Sequence, residues 1–116
     1  MIALPPGVRV YLACGTTDMR KGMAGLAMLV QQELAGNPLD GALYAFRGRR
    51  AGLIKLLWHD GVGLCLLTKR LEQGHFVLPS TTMTGRIALS VSQLAARLDG
   101  CEWRAPVPHR RPEFVG

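Results

Sequence analysis

Residues 52–69, GLIKLLWHDGVGLCLLTK, decide how this chain folds. Two apolar runs flank His59-Asp60-Gly61-Val62, and an Asp-Gly pair tolerates the positive φ angles that a tight hairpin turn requires. The pattern predicts two antiparallel strands, 52–59 and 62–69, joined by a two-residue loop at Asp60 and Gly61. That register sets His59 opposite Val62, Trp58 opposite Gly63, Leu56 opposite Cys65 and Ile54 opposite Leu67. One face then carries Ile54, Leu56, Trp58, Cys65 and Leu67, and the other carries Leu53, Lys55, Leu57, His59, Leu64, Leu66 and Thr68. Both faces are mainly apolar, so both need cover from the rest of the chain or from a partner.

Outward from the hairpin, VRVYLA (8–13) follows the helix-hostile Pro5-Pro6-Gly7 and reads as a first strand, with ALYAF (42–46) as a second. HFVL (75–78) and RIAL (86–89) add two short ones. Met19, Met23, Leu26, Ala27, Val30 and Leu34 recur at three- and four-residue spacing, which predicts a helix over 19–35. Thr17 or Asp18 would cap it and Gly36-Asn37-Pro38 would stop it. A short helix starts at Ser90 or Ser92, turns Val91, Leu94, Ala95 and Leu98 inward, and ends at Gly100. The expected fold is α+β: a mainly antiparallel sheet of about four to six strands, one long helix packed on it, and a short C-terminal helix. Residues 1–104 form a single domain on this reading, and 105–116 form an exposed, loosely ordered tail.

Composition bounds the function. Of 116 residues, 48% are hydrophobic and 19% charged, which is the balance of a globular chain and excludes a disordered one. The net charge is +6, and eleven of the fourteen basic residues are arginine. A guanidinium forks onto phosphate or carboxylate with two hydrogen bonds, so a polyanionic partner fits. Cys14, Cys65 and Cys101 are odd in number and form no CxxC pair. The amino terminus lacks the regions of a signal peptide, and no apolar run is long enough for a bilayer. The expected setting is the cytoplasm, with free thiols and no membrane contact.

The arginines cluster where the hairpin begins. Arg47, Arg49 and Arg50 crown the turn between the second and third strands, with Gly48 letting a phosphate approach the backbone. Arg20 and Lys21 stand at the start of the first helix. The hairpin register carries Lys69 and Arg70 back beside Gly52 and Ala51, hence next to the same tip. Five phosphate contacts from Arg47, Arg49, Arg50, Lys69 and Arg70 would give a salt slope of roughly −4 to −5 in log K on duplex DNA. The competing reading is that a hairpin tip needs soluble residues and arginine supplies them. No exposed helix face carries the Asn, Gln and Arg that read bases.

Catalytic patterns are sparse. Asp18, Asp40, Asp60 and Asp99 stand at a helix cap or in turns, so no carboxylate cluster holds two metal ions. His59, His75 and His109 have no metal-ligand spacing, and no cofactor is expected. Cys14 and Arg20 fit the C-x5-R spacing of cysteine phosphatases, between a strand and a helix. Against this, Asp18 inside the cradle would repel phosphate, and three cysteines with eleven arginines meet that spacing easily by accident.

Four stretches, LPPGVRVYLA, GTTDMRKGMAGLAMLV, DGALYAFRGRRAGLIKLLWHDGVGLCLLTKRLEQGHFVLP and SVSQLAARLDGCEWR, together resemble the small accessory protein of insertion sequences of the sixty-six family, the TnpB or Orf-two-like family. The resemblance covers nearly all of residues 4–104 and is most specific in FRGRR followed by LIKLLWHDGVG. Arg20, Arg47, Gly48, Arg49, Arg50, Lys55, Trp58, Asp60, Gly61, Gly63, Lys69 and Arg70 match its motif, while Met23 stands where a phenylalanine is expected. The resemblance implies a non-catalytic protein required alongside a separate, larger transposase. The chain lacks the acidic metal centre and paired zinc cysteines of the RNA-guided nuclease that shares the TnpB name. The partners implied are DNA, bound with low specificity through the basic tip, and the transposase of the same element. An adaptor that meets transposase without touching DNA is the alternative, and a Cys14-dependent phosphatase a remote one. Apolar residues on both hairpin faces also leave room for a homodimer.

Overall fold

The computed structural model describes residues 7–49, 52–73, 76 and 84–98. In chain order its elements are β1 (Val10–Ala13), α1 (Met23–Gln32), β2 (Leu43–Arg47), β3 (Leu53–His59), β4 (Leu64–Arg70), β5 (Arg86–Leu89) and α2 (Val91–Leu98). The strands make one five-stranded mixed sheet in the order β4-β3-β2-β1-β5. Three of its strand pairs are antiparallel, and β1 and β2 run parallel, with Val10 opposite Leu43. The α+β class therefore holds. The parallel pair follows from the connection: the segment between β1 and β2 carries α1, which is long enough for a crossover where a short turn would have forced a hairpin.

The β3–β4 hairpin forms with a different register. Its loop is four residues, Asp60 to Gly63, so His59 lies opposite Leu64, Trp58 opposite Cys65 and Ile54 opposite Lys69. The cause is the Asp60 carboxylate. Its Oδ1 accepts the N–H groups of Val62 at 2.8 Å and Gly63 at 2.9 Å, and the Asp60 N–H donates to the Gly63 carbonyl at 3.0 Å. Three bonds on one turn outweigh the tighter loop, and Gly61 supplies the positive φ of 101°. The slip is two residues, equal to the side-chain period of a strand, so every residue keeps its expected face.

Each face has its own core. Ile54, Leu56, Val10, Leu12, Leu43 and Ala45 are buried with Phe76 and Leu94, and Trp58, Leu67 and Ile87 pack against them. Opposite, Leu57, Tyr44, Phe46 and Ala13 are buried under Leu26, Val30 and Leu34 of the α1 segment. Helices thus cover both sides of the sheet, α2 on the first and α1 on the second. Of the expected 75–78 strand, only Phe76 is among the described residues, and it is 2% exposed. The remainder of that strand and the 105–116 tail lie outside them.

The long helix is a correction. The helix spans the ten residues Met23–Gln32, with Gly22 at its N-cap and no side-chain cap, rather than 19–35. Asp18 is otherwise engaged. Its Oδ1 accepts the Arg20 N–H at 3.0 Å, and its carbonyl accepts the Lys21 N–H at 3.2 Å, which closes a turn before the helix can begin. At the other end Leu34 and Gly36 donate to the carbonyls of Leu29 and Val30 at 3.2 and 2.9 Å, and Ala35 takes a φ of 54°. Serine capping of α2 is as expected: the Gln93 N–H donates to Ser90 Oγ at 3.0 Å and the Ser90 N–H to Gln93 Oε1 at 2.8 Å.

Candidate anion-binding cleft

At the end of the sheet where β1 and β2 finish, three segments meet: the β1–α1 loop, the β2–β3 turn and the end of β4. Backbone bonds set their spacing. Thr17 N–H donates to the Arg47 carbonyl at 2.8 Å, Gly48 N–H to Leu53 at 3.1 Å, and Leu71 N–H to Gly52 at 2.9 Å. Two basic side chains tighten the frame. Arg47 Nε donates to the Gly15 carbonyl at 3.1 Å, and Lys55 Nζ donates to the Lys21 carbonyl at 2.7 Å. Between the segments opens a cleft of about 1080 Å³, lined by residues 16–20, Gly48, Arg49, Gly52, Leu53, Arg70 and Leu71.

Of the expected site residues, the cleft collects Arg20, Arg49 and Arg70. Arg47 and Lys69 sit on either side of Ile54 across the sheet, so both fall on the α2 face, whereas Arg70, opposite Leu53, falls on the α1 face with the cleft. The shifted register also places Lys69 and Arg70 opposite Ile54 and Leu53 rather than beside Gly52 and Ala51. Lys21 is exposed outside the cleft lining, and its carbonyl serves to anchor Lys55. Arg50 lies outside the described residues. The basic residues are thus divided: Arg20, Arg49 and Arg70 line the cleft, while Arg47 bonds the Gly15 carbonyl at its edge.

Sequence reasoning missed the frame roles of Arg47 and Lys55, because nothing local marks a side chain that bonds a carbonyl some thirty positions away. The expected cap at Thr17 or Asp18 also gives no hint of what Asp18 does. Asp18 lies in the cleft and grips Arg20: Arg20 Nε donates to Oδ1 at 3.0 Å and Nη2 to Oδ2 at 2.9 Å. The Arg20 hydrogen bonds hold the Asp18 carboxyl well below the usual carboxylate range, and the carboxylate raises the Arg20 pKa in turn. The pair is exposed, with side-chain exposures of 45% for Asp18 and 90% for Arg20, so solvent screens it and a stronger anion can compete for the guanidinium. Three arginines against one aspartate leave the cleft lining positive.

The Cys14–Arg20 spacing assembles no phosphate cradle. Cys14 is outside the cleft lining, its N–H donates to the Gly85 carbonyl at 2.9 Å, and Arg20 is held by Asp18. His59 Nδ1 accepts the Gly61 N–H at 3.1 Å, a turn role. Among the described residues no three His, Cys, Asp or Glu side chains gather as a metal site, and no helix is long and apolar enough to cross a membrane.

Comparison with known proteins gives one consistent result. A family model described as IS66 Orf2 like protein matches residues 8–108. The uncharacterized protein y4hO of Sinorhizobium fredii strain NGR234 is 52% identical over 115 residues, covering 97% of this chain and 99% of its own. The uncharacterized protein y4jC of the same strain is 34% identical over 119 residues, covering 99% of each. No solved structure matches this chain.

Proposed function

Because this chain belongs to the IS66 Orf2-like family of transposition accessory proteins, we propose that it assists transposition by gripping DNA phosphates in the cleft between the β1–α1 loop, the β2–β3 turn and the end of β4. The observation that carries this reading is that Arg20, Arg49 and Arg70, from three separate segments, line one positive cleft with buried Gly48 in its wall. Planar guanidinium groups fork onto phosphate, and a glycine lets the backbone approach it closely. Contact confined to phosphate fixes position and carries no sequence information, so binding is of low specificity.

A second reading has its own support. The Asp18–Arg20 fork shows that this cleft already holds a carboxylate, so an acidic surface of the transposase would fit the same arginines. Titrating a labelled random duplex with wild type and with an Arg49→Ala/Arg70→Ala variant separates the two. DNA binding predicts a loss of about a hundredfold in affinity for the variant, at about 1.5 kcal/mol per charged contact. The adaptor reading predicts negligible duplex binding and transposase co-purification that survives nuclease and is lost in the variant.

A further inference from the structure

We infer that the outer edge of β4 is the interface between two copies of this chain, paired antiparallel about a two-fold axis so that their sheets join into one. The Asp60–Gly63 and Leu71–Gly52 bonds close the two ends of the β3–β4 ladder. Alternation between them turns the backbone groups of Cys65, Leu67 and Lys69 toward β3 and those of Leu64, Leu66, Thr68 and Arg70 outward. Among the described residues no strand takes up that outward row, since β4 ends the sheet.

The side chains point the same way. Leu64, Cys65, Leu66 and Leu67 put apolar groups on both faces, and all four are only partly buried, while Ile54, Leu56 and Leu57 of the neighbouring strand are 0% exposed. Protected edges are short, charged, bulged or broken by proline. This seven-residue strand has no charge before Lys69, whereas the opposite edge, β5, is four residues long and begins with Arg86.

Charge complementarity selects a second copy as the occupant. One end of β4 carries the Asp60 turn and the other carries Lys69 and Arg70. Antiparallel pairing sets each basic end beside the Asp60 turn of the other copy, and parallel pairing would stack the basic ends together. With the two-fold at Leu66, Leu64 meets Thr68 of the other copy, and Val62, 94% exposed in the monomer, meets Arg70. An axis normal to the sheet keeps both clefts on the α1 side, with the two Arg70 residues roughly 27 Å apart at 3.4 Å per residue. The assembly is then bivalent for one extended anion.

Sedimentation equilibrium of the full chain tests this, with hydrogen exchange of wild type followed across the same concentration range. The expected result is twice the 12.6 kDa chain mass. Leu66→Lys should be monomeric with an unchanged circular dichroism spectrum, because it sets two ammonium groups together at the axis. Ala88→Lys, on the exposed part of β5, should remain dimeric. The outward amides of Leu64, Leu66 and Thr68 should exchange at least tenfold more slowly at high concentration. A monomer at every concentration overturns the inference, as does a dimer that persists in folded Leu66→Lys. Should that variant not fold, the wild-type exchange decides alone, and concentration-independent β4 amides reject the interface.

Discussion

Asp60 shows how one carboxylate can set a register. It accepts the N–H groups of Gly63 and Val62, the two largest influences on its pKa, and a weaker contact from Cys65 Sγ; together they hold its carboxyl below the ordinary value. A depressed folded-state pKa means the stabilisation is fully present above the unfolded value near 3.9 and is lost as pH falls through it toward the folded value. Thermal melts from pH 6 downward should show stability falling below about pH 4, and Asp60→Asn should show a shallower fall. Equal acid slopes in the two proteins would show that the Asp60 carboxylate does not stabilise the turn. Gly36 is a residue chosen by space rather than by φ. A Cβ there would stand 2.5 Å from the Tyr44 hydroxyl oxygen and 3.0 Å from Arg86 Nη1, so Gly36→Ala should cost about 1–3 kcal/mol in urea melts. Its neighbour Ala35 has the opposite problem. With φ at 54°, Ala35→Gly should gain up to about 1 kcal/mol in the same melts, because the left-handed region is costly for a side chain that has a Cβ. In the cleft, Asp18→Asn should bind duplex DNA several-fold more tightly than wild type, since it frees Arg20 and removes the one carboxylate from the lining. Unchanged affinity would mean that Arg20 takes no part in binding.

Among the elements, what could be read in advance was periodicity, and what could not was competition for the same polar groups. The two faces of the β3–β4 hairpin were legible because alternation is a property of the chain itself, and a slip of two residues leaves it intact. Loop length was not, because an Asp-Gly pair satisfies both the two-residue turn and the wider one, and the choice falls to hydrogen bonds that Asp60 makes beyond the pair. The helix followed the same logic. Leu26, Val30 and Leu34 fall on the buried face as their spacing predicts, yet the start moves from 19 to Met23 because Asp18 bonds Arg20 instead of capping. The parallel β1–β2 pair was hidden for another reason: pairing direction is set by where the crossover lands, and strand residues do not encode it.

At the scale of the molecule, the sheet sorts the arginine run. Arg47, Lys69 and Arg70 stand at one end of the sheet, and strand parity puts Arg70 on the cleft side and Arg47 and Lys69 on the other face. Arg47 and Lys55 hold the β1–α1 loop against the sheet, so their loss should loosen the cleft as well as remove charge. In the proposed function, Arg20, Arg49 and Arg70 act together on DNA phosphates. The salt dependence of duplex binding, measured by fluorescence anisotropy from low to physiological salt, tests this joint action. Wild type should give a slope of roughly −3 in log K against log salt per cleft, and Arg49→Ala/Arg70→Ala should flatten it by about 2. A wild-type slope near zero, or an unchanged slope in the double variant, would contradict it.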